Sequence, residues 1–172
     1  MLTKLKAKNN LSPEDQLIEA YLLINQNKVN QARQRFESIL EKNPKNVDAI
    51  TGLAVQLLRK GFLEDSLNWL NSGLEINPRQ AKAHYLRASI LFRQGDYLQG
   101  DLAIARALEL DPANPSFQLL FLRRQLMQGE LAVVEKQLKR IQEKHPLNTE
   151  ALLLQADLYK NRGNTDESEK LL

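Results

Sequence analysis

The sequence contains no cysteine, only two histidines and few aromatic residues, which make up 6% of the chain. The absence of cysteine excludes disulfides, thiol nucleophiles, cysteine-ligated zinc and iron–sulfur clusters. Apolar runs are also short: residues 119–122 form one of the longest, whereas a membrane-spanning helix needs roughly 18 apolar residues. The sequence therefore predicts no membrane span. It leaves the compartment open between the cytoplasm and a bacterial periplasm.

Positive charge is concentrated at the start of the chain. The formal net charge is +3, which equals the contribution of Lys4, Lys6 and Lys8, so the remaining basic and acidic residues balance. Residues 1–12 are interpreted as a basic, disordered lead-in. A neutral remainder lacks the positive field that is typical of nucleic-acid-binding proteins, so no nucleic acid partner is expected.

Proline and glycine recur with a fixed period. Four of the six prolines lie 34 residues apart, and a glycine or asparagine stands 17 residues before each of them. The prolines are Pro44, Pro78, Pro112 and Pro146, and the turn residues are Asn27, Gly61, Gly95 and Gly129, followed by Gly163. A fixed period of this length indicates an array of one supersecondary unit.

Each repeat is predicted to be a helix–turn–helix, because proline cannot continue a helix and glycine or asparagine can end one in the left-handed conformation. The repeats span 13–46, 47–80, 81–114 and 115–148, with an incomplete fifth at 149–172. Ser12 is the predicted N-cap of the first helix, ahead of Pro13. Within the second repeat, small residues at Ala54 and Ser66 are predicted to let the two helices approach.

The pattern resembles the tetratricopeptide repeat (TPR) family. The resemblance rests on Gly95-Asp96-Tyr97 and the run from Ala105 to Asn114, and on closing motifs such as Asn43-Pro44 and Asn77-Pro78. It covers residues 13–172 and implies an all-α fold: a right-handed solenoid of antiparallel helix pairs, with four full repeats and one partial repeat.

Several residues depart from the family pattern. Polar side chains stand at positions that are usually large and apolar, namely Gln16, Glu19, Arg87, Gln118 and Gln125. The fourth repeat instead carries large residues at its three small positions, Leu122, Val134 and Ile141. We therefore expect the two helices of that repeat to lie further apart than those of the others.

The resemblance implies that the first helix of each repeat lines a concave groove that binds peptides. Its fifth, ninth and twelfth positions are Leu17, Tyr21 and Ile24; Thr51, Val55 and Leu58; Tyr85, Ser89 and Phe92; Leu119, Arg123 and Leu126; and Leu153, Asp157 and Lys160. Because most of these are apolar in the first four repeats, the expected partner is an extended peptide or an amphipathic helix with apolar side chains. The alternative is that they pack against neighbouring helices or a flanking segment.

Other features bear on what the array could bind. The carboxylate clamp of the chaperone-binding members, built from lysine, asparagine and arginine, is absent from repeats one to three. Repeat four is the only distinctly basic repeat, through Arg123, Arg124, Lys136, Lys139, Arg140 and Lys144, and either a solvated face or a surface for an acidic partner accounts for it. Trp69 is interpreted as a packing residue.

The predicted function is that of a protein-interaction scaffold within a larger assembly or adaptor protein. No catalysis, metal or cofactor is expected, because neither His84 nor His145 has a partner at ligand spacing. One alternative is self-association through an uncapped last face near Leu171 and Leu172, giving a homodimer. A second is RNA binding. The incomplete fifth repeat also suggests a piece of a longer protein.

Overall fold

The computed structural model describes residues 11–171, and within them all regular secondary structure is α-helical. The lysines of the predicted lead-in and Leu172 lie outside the described residues. The helices are α1 (Pro13–Asn25), α2 (Val29–Lys42), α3 (Val47–Arg59), α4 (Leu63–Ile76), α5 (Ala81–Gln94), α6 (Tyr97–Leu110), α7 (Pro115–Met127), α8 (Leu131–Lys144), α9 (Thr149–Asn161) and α10 (Thr165–Glu169). The predicted all-α fold of paired helices is confirmed.

The described chain divides into two compact units. The first unit, residues 11–96, contains α1 to α5, and the second, residues 97–171, contains α6 to α10. The division falls inside the third sequence repeat, whose two helices therefore belong to different units. None of the helices in residues 11–171 is long and apolar enough to cross a membrane.

The turn between the two helices of a repeat has the predicted left-handed residue. Asn27 has a φ of 58°, and Gly61, Gly129 and Gly163 have φ values of 84°, 84° and 80°. Directly after Gly61, the amide of Phe62 donates a hydrogen bond of 3.0 Å to the carbonyl of Leu57. This six-to-one bond is the Schellman motif, which ends a helix by satisfying its last carbonyls.

In most repeats an asparagine directly precedes the first helix and caps it. Asn46 Oδ1 and Asn148 Oδ1 each accept a hydrogen bond of 2.9 Å from the third residue along, Ala49 and Ala151. Ser12 Oγ accepts from the amide of Asp15 at 3.1 Å, so the predicted cap of α1 is confirmed. These side chains satisfy amides that have no partner inside the helix.

The first unit has two apolar clusters that meet at Trp69. One joins α1, α2 and α3 around Phe36 and Ile50, and the other joins α3, α4 and α5 around Leu70 and Ile90. All four of these side chains are buried, and Trp69 packs against both clusters. Burial of such side chains contributes about 1.5–3 kcal/mol each, and the packing role predicted for Trp69 agrees with this position.

The second unit has one described cluster, centred on the fourth sequence repeat. Leu122 and Val134 are fully buried together with Leu138 and Leu154, so α7, α8 and α9 share a core. The backbones of α7 and α8 lie less closely together along their length than those of α3 and α4. Relative to the second repeat, this is the direction expected from the large residues of the fourth repeat.

Two of the unusual polar residues of the first repeat have a polar partner nearby. Glu19 is 7% exposed, and its Oε2 lies 2.9 Å from Nη2 of Arg35 on α2. Gln16 donates through Nε2 to the carbonyl of Leu11 at 2.9 Å. A buried carboxylate is tolerated when a partner of opposite charge compensates the loss of water, and here that partner comes from the second helix of the same repeat.

Candidate functional site

Eight of the residues predicted to line a groove remain half-buried in the structure. All eight lie on α1, α3 and α5 of the first unit: Leu17, Tyr21, Ile24, Val55, Leu58, Tyr85, Ser89 and Phe92. We call them the first-helix surface. Leu17, Tyr21 and Ile24 pack against the α1 to α3 cluster, whereas Val55, Leu58 and Tyr85 pack against the α3 to α5 cluster.

Tyr21 on α1 has neighbours on both other helices of this surface, α3 and α5. Its hydroxyl donates a hydrogen bond of 3.4 Å to the backbone carbonyl of Asp48 on α3. The ammonium of Lys82 on α5 lies 5.7 Å from the centre of its ring. Its ring also contacts Phe36 edge-on, with centroids 5.5 Å apart. Burial, followed by the negative charge of Asp48, raises the pKa of the Tyr21 hydroxyl.

Three predicted groove residues are buried in the core instead. Thr51, Leu119 and Leu126 are 2%, 4% and 6% exposed, so they offer almost no surface to a ligand. The hydroxyl of Thr51 donates to the carbonyl of Val47 at 2.8 Å and lies 2.9 Å from Oε1 of Gln80. Placing these three residues on an accessible face was therefore wrong.

The second unit does not continue the apolar surface along its first helices. Leu119 and Leu126 lie in one cluster with Leu154 and Leu158, because α7 packs against both α8 and α9. The other predicted positions there are exposed or half-buried and mostly charged, at Arg123, Leu153, Asp157 and Lys160. The apolar surface predicted for repeats one to four is thus restricted to the first three.

Sequence reasoning missed an open cleft beside Trp69. It has a volume of about 510 Å³ and lies among α2, α3 and α4. Leu40, Leu53 and Leu57 form its apolar part with Trp69, and charged residues of α2 line its edge. The signal in the sequence was a single tryptophan, which does not by itself distinguish a packing residue from the wall of a cleft.

The basic fourth repeat is less basic than its sequence suggests. Arg124 is held by Asp101, with Nε 3.1 Å from Oδ1 and Nη2 3.3 Å from Oδ2, and its guanidinium lies 4.5 Å from the centre of the Tyr97 ring. Arg124 therefore belongs to an ion pair between α6 and α7. Most of the remaining positive charge of this repeat lies on α8.

The two histidines lie far from one another in the sequence and have ordinary surroundings. His84 Nε2 lies 2.9 Å from the carbonyl oxygen of Pro78, and His145 is the C-cap of α8. In residues 11–171 no three histidine, aspartate or glutamate side chains are grouped so that they could hold a metal ion. The sites that the described residues offer are therefore surfaces and clefts.

Two family models match the chain, and both describe the tetratricopeptide repeat. One matches residues 23–90 and the other residues 81–114, so together they cover more than half of the sequence. The chain belongs to the tetratricopeptide repeat family. As a TPR protein it has the fold of a protein-interaction scaffold, which agrees with the helix pairs, the 34-residue period and the glycine turns described above.

Among curated proteins, the TPR chain is similar to trafficking protein particle complex subunit 12 of Homo sapiens. The two are 40% identical over 73 residues, which is 42% of this chain and 9% of the human protein. The match thus spans less than a tenth of the length of that relative.

Among solved structures, the chain resembles TTC0263, a thermophilic TPR protein in Thermus thermophilus. The TM-score is 0.78 at 22% identity, over 93% of this chain and 88% of that chain. It also resembles the human IFIT1 dimer with m7Gppp-AAAA, with a TM-score of 0.78 at 19% identity, over 99% of this chain and 44% of that chain. At these identities the resemblance establishes the fold alone.

Proposed function

We propose that this TPR protein is a scaffold whose first-helix surface binds an apolar segment of a partner protein. The observation that carries the proposal is the convergence at Tyr21, where a side chain of α1 contacts the backbone of α3 and lies below Lys82 of α5. Three successive first helices thereby contribute to one surface. A bound segment would contact all three, because α3 packs against both α1 and α5.

The aromatic residues of the first-helix surface are suited to contribute most of the energy of binding a partner. Tyr21, Tyr85 and Phe92 are aromatic and half-buried, so part of each ring is already ordered by packing and part is available to a ligand. Aromatic side chains bury a large area and lose little rotational freedom on binding, which is why they dominate interface energies. Lys82 and Asp48 supply charges at the edge that would fix the orientation of the segment.

The occupant that fits best is an extended peptide or an amphipathic helix with apolar side chains. Burial of such side chains against Val55, Leu58 and Phe92 is favourable, and these residues offer few hydrogen-bonding groups. The similarity to a subunit of a trafficking protein complex supports a role in a protein assembly, although it covers a small part of that relative. The role that we propose for the protein is binding and includes no catalytic activity.

Site-specific photo-crosslinking in the full chain tests where the partner lies. A benzoylphenylalanine at Val55 on α3 should crosslink to the partner, whereas the same group at Asn68 on α4 should not. Mass spectrometry of the crosslinked peptides would identify the bound segment. Crosslinks that form from Asn68 and not from Val55 would place the partner on the second helices and contradict the proposal.

A pair of matched serine substitutions tests the same surface by affinity. Ser89 is half-buried on the first-helix surface, and Ser72 is exposed on α4. Because Ser89→Arg would insert a long charged side chain among the anchors, it should weaken binding of the crosslinked segment at least about tenfold. Ser72→Arg makes the same change elsewhere and should alter affinity less than about twofold. The reverse order would exclude the first-helix surface.

Self-association and RNA binding are separate proposals that these experiments do not require. Self-association predicts a solution mass that rises with protein concentration. RNA binding is suggested by the similarity to the human IFIT1 structure with m7Gppp-AAAA, and it predicts an affinity that falls steeply with added salt. The edge of the first-helix surface carries both Asp48 and Lys82, and none of the eight residues of the surface is basic, which favours a protein partner.

A further inference from the structure

The second compact unit contains a cleft that the proposed function does not use. It has a volume of about 430 Å³ and lies where the end of α6 meets α7 and α8. Leu108, Phe121 and Ile141 form its apolar part, and the turn at Pro112 and Ala113 closes one end. We call it the basic cleft, because the charged residues that line it are all basic.

Positive charge lines this cleft without any acidic residue. Arg140 and Lys144 supply this charge from α8, beside the His145 C-cap, and none of the residues that line the cleft is an aspartate or glutamate. Several other basic residues of the second unit are paired with acids, as Arg106 is with Glu109 at 2.7 Å and Arg162 with Glu135 at 2.7 Å. Among residues 11–171, no carboxylate lies within salt-bridge distance of Arg140 or Lys144.

The corresponding cleft of the first unit makes the difference clear. Trp69 lines the cleft of the first unit, and Gln137 lines the basic cleft at the same position two repeats later. The first cleft therefore has a tryptophan ring where the basic cleft has the smaller amide of a glutamine. Its edge carries both signs of charge, because Arg33 lies 3.5 Å from Glu37 and Glu41 lines the same cleft. Of these two clefts, only that of the second unit combines an apolar part with charge of one sign.

We propose that the basic cleft binds an acidic peptide segment of a partner protein. One large apolar side chain of the peptide, a leucine or phenylalanine, would enter beside Leu108 and Phe121. Flanking carboxylates would pair with Arg140 and Lys144. The complementarity of charge determines the class of ligand, since unpaired cations at the edge of an apolar cleft favour an anionic ligand that also buries apolar surface. The volume is within the range of clefts that enclose a ligand group.

Fluorescence anisotropy with a defined probe tests the proposal on the full chain. The probe is a fluorescein-labelled peptide with one Leu-Phe pair flanked on both sides by Asp and Glu, and its control has Asn and Gln in place of the acids. The acidic peptide should bind at physiological ionic strength and the neutral peptide at least about tenfold more weakly. Failure of the acidic peptide to bind at millimolar concentration would overturn the proposal.

The chain offers a matched control on the same helix. Arg140→Glu with Lys144→Glu reverses two charges at the cleft, whereas Lys136→Glu with Lys139→Glu reverses two exposed charges of α8 that do not line it. The first pair of substitutions should weaken binding of the acidic peptide at least about tenfold, and the second pair should weaken it less than about twofold. An equal loss of affinity in both double variants would show that the peptide responds to the overall positive charge of α8 and not to the cleft, and it would overturn the proposal.

A further variant separates the cleft from the surrounding surface. Gln137→Trp introduces the residue found at the matching place of the first unit, which would fill the cleft without changing charge. The acidic peptide should lose at least about tenfold in affinity, with the helical circular dichroism unchanged. Unchanged binding by this variant, or binding of a single-stranded RNA oligonucleotide in place of the peptide, would overturn the proposal.

Discussion

Ser66 on α4 donates a hydrogen bond of 2.8 Å to the backbone carbonyl of Ala54 on α3, and both residues are fully buried. Three repeats later, Ser168 and Ala156 make the same contact at 3.0 Å. The bond requires two small side chains facing each other, because only then does a hydroxyl of one helix reach the backbone of the other. It therefore marks a place where the two helices of a repeat lie close together.

Replacing Ser66 should destabilise the first unit. Ser66→Ala removes the interhelix hydrogen bond and should lower the free energy of unfolding by about 1 kcal/mol. Ser66→Val should cost more, about 1–3 kcal/mol, because the added methyl groups must fit into a fully packed contact. Urea unfolding followed by circular dichroism measures both. Ser72→Ala on the exposed side of α4 is the control, and it should change stability by less than about 0.5 kcal/mol.

Alanine in place of Gly52 should be worse tolerated than alanine in place of Gly73. A Cβ at Gly52 would overlap the fully buried ring of Phe36, whereas one at Gly73 would lie 3.0 Å from Cγ2 of Ile50. Both changes gain about 1 kcal/mol of helix propensity. We expect Gly52→Ala to show a net loss of about 1–3 kcal/mol and Gly73→Ala a smaller change. Equal melting temperatures for the two variants would contradict this packing.

Removing the amide of Gln56 should stabilise the protein. Gln56 is 1% exposed, and neither polar atom of its side chain has a hydrogen-bond partner among residues 11–171. Gln56→Met keeps the length of the side chain and removes the unsatisfied groups, so the free energy of unfolding should rise by about 1–2 kcal/mol. Denaturant unfolding provides the measurement, and a loss of stability would mean that the amide is satisfied in solution.

Tyr21 should make stability depend on pH at alkaline values. Its pKa is raised in the folded state above the usual 10.0, so above that pH the unfolded chain loses the proton first. The unfolded state then binds fewer protons, and the free energy of unfolding falls as pH rises through the raised pKa. Tyr21→Phe removes this contribution, so the stability difference between the two proteins should shrink above pH 10.0. Absorbance of tyrosinate in the near ultraviolet should show one late-titrating group that the variant lacks.

Much of the fold could be predicted from sequence because its signals are local. Gly61 and Asn27 end helices through their own backbone conformation, and Asn46 begins one through its own side chain. The small residues Ala54 and Ser66 also identified the helix contact correctly, since their size limits how closely two backbones approach. Each of these inferences needs only the residue and its place in the repeat.

The candidate site was only partly predictable, because equivalent positions of the repeats have different neighbours. Thr51 and Tyr85 share the fifth position, yet Thr51 is buried against Gln80 and Tyr85 keeps part of its ring exposed. The sequence of the fourth repeat includes Arg124 among its excess basic residues. In the structure Arg124 pairs with Asp101, which lies 23 residues earlier. Neither difference is visible in a single repeat.

The sequence by itself therefore determined the period, the turns, the helix ends and the all-α fold of this TPR protein. The reason is that proline, glycine and capping residues act on their own backbone. Only the tertiary structure decided which apolar residues are buried and which charges are paired. Burial and pairing depend on what the neighbouring helix presents, and that differs between α3 and α7 although both begin their repeats in the same way.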